Sequence, residues 1–117
     1  MTDTFIKLPA PGYKERSSFT ATAYFRSGDA ADTPSTVHYR IDNITTNRNK
    51  ATSILGWTSA TPGTSVSISI TSAQNRILDS SNVWERRQLT VSADKGTSTE
   101  TRDTAEWKIE NIGGFNE

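Results

Sequence analysis

The sequence predicts an all-β chain built as an antiparallel two-sheet sandwich. Three observations carry that prediction. Apolar and polar residues alternate with a period of two over about six short segments, each bounded by turn residues. Of the 117 residues, 32 are Thr or Ser, a composition that disfavours helix interiors and suits strands and turns. No segment has the length and periodicity of a helix able to cross between parallel strands, and alternation with one polar face is the mark of antiparallel pairing.

Taken in order, residues 1–16 read as an arm. Phe5, Ile6 and Leu8 are apolar, and "PAPG" (9–12) fixes an extended path that cannot join a central ladder. Alternation begins at Ser17, where "SFTATAYFR" places Phe19, Ala21, Ala23 and Phe25 on one face and Thr20, Thr22 and Tyr24 on the other. A loop follows over 27–35. "TVHYRIDN" (36–43) is the next strand, with Val37, Tyr39 and Ile41 inward and Thr36, His38 and Arg40 outward. Residues 43–50 are a polar connection. "ATSILGWTSA" (51–60) is a strand interrupted at Gly56, and "TPG" (61–63) is a turn.

"TSVSISIT" (64–71) alternates most cleanly and buries Val66, Ile68 and Ile70. The segment 72–82 carries a Ser cap and predicts one or two helical turns as a crossover. "ERRQLTVSA" (85–93) turns Leu89, Val91 and Ala93 inward, and "DKG" (94–96) is a turn with Gly96 free to take positive φ. Residues 97–112 close the sandwich with Ala105, Trp107 and Ile109 on one face, and "GGFNE" is a tail with one aromatic. The division is therefore an arm over 1–16, one domain over 17–112 and a tail over 113–117.

The totals narrow the function. One domain accounts for this length, and its core is thin at 32% hydrophobic residues and a mean hydropathy of −0.61. Thirteen Lys and Arg balance thirteen Asp and Glu, so no strong attraction to nucleic acid or to a membrane surface is expected. The absence of Cys excludes disulfides, thiolate metal sites and a Cys nucleophile. The N-terminus has no signal-peptide pattern and no apolar run spans a bilayer, which sets synthesis in the cytoplasm as the expectation.

Reactive chemistry finds little support. His38 is the only imidazole, its strand-face neighbours are Thr36 and Arg40, and no nucleophile elbow exists, so it reads as a solvated strand residue. Carboxylates that could act in pairs, such as Asp29 with Asp32, Asp42, Glu85, Glu106 or Glu110, occupy loops or polar strand faces. "GDAAD" lacks the dense spacing of a calcium loop. Arg86 and Arg87 point to opposite faces, so one of them is expected toward the core side or at its rim, with Glu85, Glu106 or Asp103 as a candidate partner. The triplet "NIT" (43–45) fits a glycosylation sequon, a coincidence where no secretion signal precedes it. No catalytic residue, cofactor or metal is expected.

The remaining candidates are at the ends. Phe5, Ile6, Leu8, Tyr13 and Phe115 are apolar residues on segments that a small sandwich need not cover. They either fold back onto the sandwich or pair with a neighbour by strand addition. On the second view residues 1–13 can be removed without unfolding the domain.

Over residues 17–109, the strand "YRID", the "GWT" strand, "TPGTSVSISI" and "NRIL" resemble the Ig-like or fibronectin-III-like domains of small virion proteins in tailed bacteriophages. The resemblance implies an Ig-like sandwich in a non-enzymatic structural protein of a phage particle, made in the host cytoplasm and assembled into the virion. A capsid decoration or cement protein is the first expectation, with the major capsid protein, another virion protein or copies of itself as partners. A head–tail connector or tail-surface protein is the next. A carbohydrate-binding module for host recognition, using Tyr24 or Trp84 as a stacking platform, is the third.

Overall fold

The computed structural model describes residues 2–45, 52–79 and 81–112. Among these residues are nine strands, β1 (Asp3–Lys7), β2 (Gly12–Lys14), β3 (Phe19–Ser27), β4 (Ala30–Ala31), β5 (Val37–Asn43), β6 (Thr52–Ala60), β7 (Ser65–Ile70), β8 (Trp84–Ala93) and β9 (Thr101–Glu110). They form two packed sheets. In one, β3 is flanked by β1 on one side and by β7 and β4 on the other; the second runs β2-β9-β8-β5-β6. All pairings are antiparallel except that of β2 with β9. The chain is an all-β sandwich, and each sheet joins strands distant in sequence, β3 with β7 in one and β5 with β8 in the other.

The core is made by the inward rows that the alternation predicts. Ala21, Ala23 and Phe25 of β3 and Val66, Ile68 and Ile70 of β7 face Val37, Ile41, Leu89, Val91, Trp107 and Ile109 of the opposite sheet. The small alanines of β3 leave room for the Trp107 indole, which meets Phe19 edge-on with ring centroids 5.3 Å apart. Tyr13 then stacks on Phe19 at 4.1 Å, extending the aromatic column to β2.

The N-terminal segment is part of both sheets. β1 pairs with Thr22–Arg26 of β3, the corner at Pro9 and Pro11 carries the chain across, and β2 pairs with Lys108–Glu110 of β9. Proline supplies no backbone donor, so a corner between sheets is where it costs least. The Ile6 amide donates to Asp103 Oδ2 (2.8 Å), and Thr4 and Thr101 share a hydroxyl hydrogen bond (3.0 Å). Of the two readings of this segment, the structure contains the one in which it folds back.

Two other expectations need correction. No helix forms over 72–82 among the described residues. A single turn stands there, capped by Thr71 rather than by a Ser: the Gln74 amide donates to Thr71 Oγ1 (3.3 Å), and Thr71 N–H donates to Gln74 Oε1 (2.8 Å). The turn stops at Asn75 because its buried side chain is committed to the core, accepting from Trp107 Nε1 (2.8 Å) and donating to the Ser17 carbonyl (2.6 Å). β6 runs unbroken through Gly56, its irregularity absorbed as register shifts against β5 between Tyr39 and Asp42. The β8–β9 turn uses positive φ at both Gly96 (82°) and Asp94 (57°), and Asp94 repays its strained backbone by accepting from the amides of Ser35 and Thr36.

Candidate interaction surfaces

The two flanks of the sandwich differ. One is closed by the N-terminal segment, whose strands β1 and β2 carry Asp3, Lys7 and Lys14 and are separated by prolines. The other exposes the edge strands β6 (TSILGWTSA) and β7 (SVSISI), one from each sheet, which are joined by the turn at 61–64. Neither strand contains a charged residue or a proline. Charge and proline are the usual means of blocking an edge against further pairing, so this flank is unprotected among the described residues.

The end residues singled out as partner-binding fare differently. Ile6, Leu8 and Tyr13 pack against the core, and the Tyr13 hydroxyl accepts from the Ala10 amide (2.9 Å). Only Phe5 is presented outward, half exposed beside its cross-strand partner Tyr24 and near Arg26. Phe115 lies outside the described residues.

Four other apolar side chains are exposed, Leu78, Val83, Trp84 and Ile112, and the last three meet at one end of the molecule. There Val83, Trp84 and Ile112 join Lys108, Glu110 and Asn111 around a shallow cleft of about 180 Å³. The alternation marks Trp84 as outward, but only the fold brings Ile112 beside it, through the Asn111 amide bound to the Val83 carbonyl (2.9 Å). Leu78 and Val83 carried no periodic signal and were not foreseen.

Beneath this end lies a buried ion pair. Arg87 is fully buried and donates to Glu85 Oε1 (3.0 Å), to the Arg76 carbonyl (2.6 Å) and to Asn43 Oδ1 (2.8 Å). Glu85 accepts from the amides of Leu78 and Asp79 and from the Asn82 side chain. Burial pushes the Glu85 carboxyl up, but these donors together hold it below its ordinary value. Burial likewise lowers the Arg87 guanidinium, against the pull of Glu85. Arg86, on the other face, pairs with Glu106 (3.6 Å). The pair fixes the 76–82 loop, so its role is structural.

His38 is half-buried rather than solvated, and its Nδ1 has no hydrogen-bond partner among the described residues. Its register neighbours are Ser59 and Ser92, which gives it no acid to orient it and no activated nucleophile. Asp32 is engaged by the Thr2 hydroxyl (2.6 Å), which lowers its carboxyl from the usual value. Among the described residues no three His, Cys, Asp or Glu side chains converge as a metal site. Asn43 of the sequon is tied up, its Oδ1 accepting from Arg87 and from Thr45. No family model, curated protein or solved structure matches the chain.

Proposed function

We infer that this chain is a non-enzymatic assembly module, and that its setting is the phage particle its sequence resembles, as a capsid decoration or cement protein. The observation that carries the reading is the unprotected flank: two edge strands, one from each sheet, without charge or proline, on a sandwich whose opposite flank is blocked by both. An edge of this kind satisfies its backbone donors and acceptors by taking another strand. The partner is a strand of the major capsid protein or of another copy. The exposed Phe5 and the apolar end around Trp84 are secondary contacts. Placement at the neck or tail uses the same flank.

The test is particle composition with an edge-blocked variant. Purified particles are expected to contain the chain in a multiple of the shell symmetry, and Ser59→Lys with Ser67→Lys, both at exposed positions, is expected to remove it from them. The variant's stability should stay within about 0.5 kcal/mol of the parent, as for other surface changes. Absence of the parent chain from particles would refute the reading, as would undiminished loading of the variant.

A further inference from the structure

The outer face of the five-stranded sheet carries a pattern that assembly through the edges does not use. Two tryptophans stand on it, and all five cation–π contacts among the described residues converge on them. Trp57 is approached by Arg102 at 5.0 Å, Lys95 at 5.1 Å and Arg40 at 5.6 Å from its ring centroid. Trp84 is approached by Lys108 at 5.2 Å and Arg86 at 5.6 Å. The cations around Trp57 come from β5, the β8–β9 turn and β9, so the cluster is a product of the fold and not of one sequence run.

The clusters sit at opposite ends of β9, near Arg102 and Lys108, roughly 20 Å apart at about 3.3 Å per residue. Between them the strand-face positions hold the neutral Gln88, Thr90 and Thr104 and the carboxylate of Glu106, which pairs with Arg86 (3.6 Å).

Carboxylates are interleaved with the cations. Asp42 grips Arg40 through two hydrogen bonds (2.9 and 2.8 Å). Glu100 accepts from Arg102 Nε (2.6 Å) and from the Ser92 hydroxyl. Lys95 and Lys108 have no ion-pair partner among the described residues, and Arg102 is half exposed. The face thus offers an exposed ring at Trp84 and a partly buried one at Trp57, an ammonium group without an ion-pair partner at each ring, and the Arg102–Glu100 pair beside Trp57.

This chemistry discriminates between polyanions. A nucleic acid brings a phosphate at every unit, would meet Asp42, Glu100 and Glu106, and would gain little from a chain of zero net charge. A neutral sugar would leave the lysines without a counter-charge. We propose that this face binds an acidic oligosaccharide, its sugar rings stacked on Trp57 and Trp84 and its carboxylates taken by Lys95, Arg102 and Lys108. The intervening hydroxyls meet the threonines and the acid–guanidinium pairs. The inference is independent of the particle setting, since it concerns the isolated chain.

Isothermal titration of the purified full chain tests it with tetragalacturonate and a sialic acid tetramer as acidic probes, maltotetraose as the neutral control and oligothymidylate as the dense polyanion. At least one acidic sugar is expected to bind at least about tenfold more tightly than maltotetraose and than oligothymidylate. Trp57→Ala should weaken that binding by about tenfold or more. Because Trp57→Ala could perturb β6, Lys95→Gln in the turn serves as the second variant and should weaken acidic but not neutral sugar. Failure of both acidic probes, tighter binding of oligothymidylate, or full affinity in Lys95→Gln would each overturn the proposal.

Discussion

Glu85 and Arg87 are two residues apart on β8 and both point inward, where strand parity calls for apolar side chains. Strand parity alone indicates that one of the two adjacent arginines turns toward the core side or its rim, and the structure buries Arg87 fully. What parity cannot supply is the reason it is tolerated there. That reason is the loop after β7, where the Leu78 and Asp79 amides and the Arg76 carbonyl close around the pair and leave only Arg87 Nε without a partner among the described residues. Removing one partner leaves the other as an uncompensated buried charge, so Arg87→Met should lower stability by about 3–5 kcal/mol. Adding Glu85→Gln should restore part of the loss, because the Gln amide keeps acceptors for the loop without a charge. Urea denaturation of the two variants measures this. A loss of under about 1 kcal/mol in the single variant would mean that water reaches the site and the pair contributes little.

At the scale of elements, five of the longer strands and their inward faces were legible because a period of two over six or more residues is hard to mimic by chance. Three elements were not. The 72–82 segment shows a cap and a short apolar periodicity, which fit a helix, but the decisive interaction is the bond from Trp107 to Asn75, and no local window contains both residues. β6 reads as broken at Gly56 because a bulge is defined only against its partner strand. The N-terminal segment reads as an arm because β1 and β2 are too short to show alternation and their partners lie on β3 and β9. Its integration changes what truncation does. Deleting residues 1–13 removes the β1 ladder, the Ile6–Asp103 hydrogen bond and the packing of Ile6, Leu8 and Tyr13. A fully buried side chain of this size contributes about 1.5–3 kcal/mol, so three partly buried ones amount to several kcal/mol against a total of about 5–15 kcal/mol. The truncated chain should therefore unfold at a markedly lower urea concentration, or fail to fold. An unchanged midpoint would show that the segment is a detachable arm after all.

For the whole molecule, the sandwich follows from composition and alternation, whereas the asymmetry of its flanks and the pairing of tryptophans with cations emerge only once strand order is fixed. Charge behaves in the same way. The chain is neutral overall, yet the fold places its carboxylates unequally. Glu100 is pulled down to about 2, first by the Ser92 hydroxyl and then by Arg102. Glu85, Asp32 and Asp79 are also held below their ordinary values, the last by the Ser81 hydroxyl and amide. A carboxyl with a folded-state pKa below its unfolded one binds fewer protons when folded. Its stabilisation is complete above the unfolded pKa and is lost as pH falls through the folded one. For Glu100 the window runs from the ordinary 4.5 of a glutamate down to about 2, and for the others it lies below their ordinary values. Urea midpoints should accordingly be level from neutral pH to about 5 and then fall steadily toward pH 2. Glu100→Gln should begin from a lower plateau and fall less steeply within that window, because a group that no longer titrates no longer contributes to the slope. The same substitution frees Arg102 and Ser92 at the edge of the Trp57 cluster, so the variant separates an electrostatic loss from a packing loss. If its slope below pH 4.5 matched that of the parent, Glu100 would not be one of the groups whose protonation unfolds the molecule.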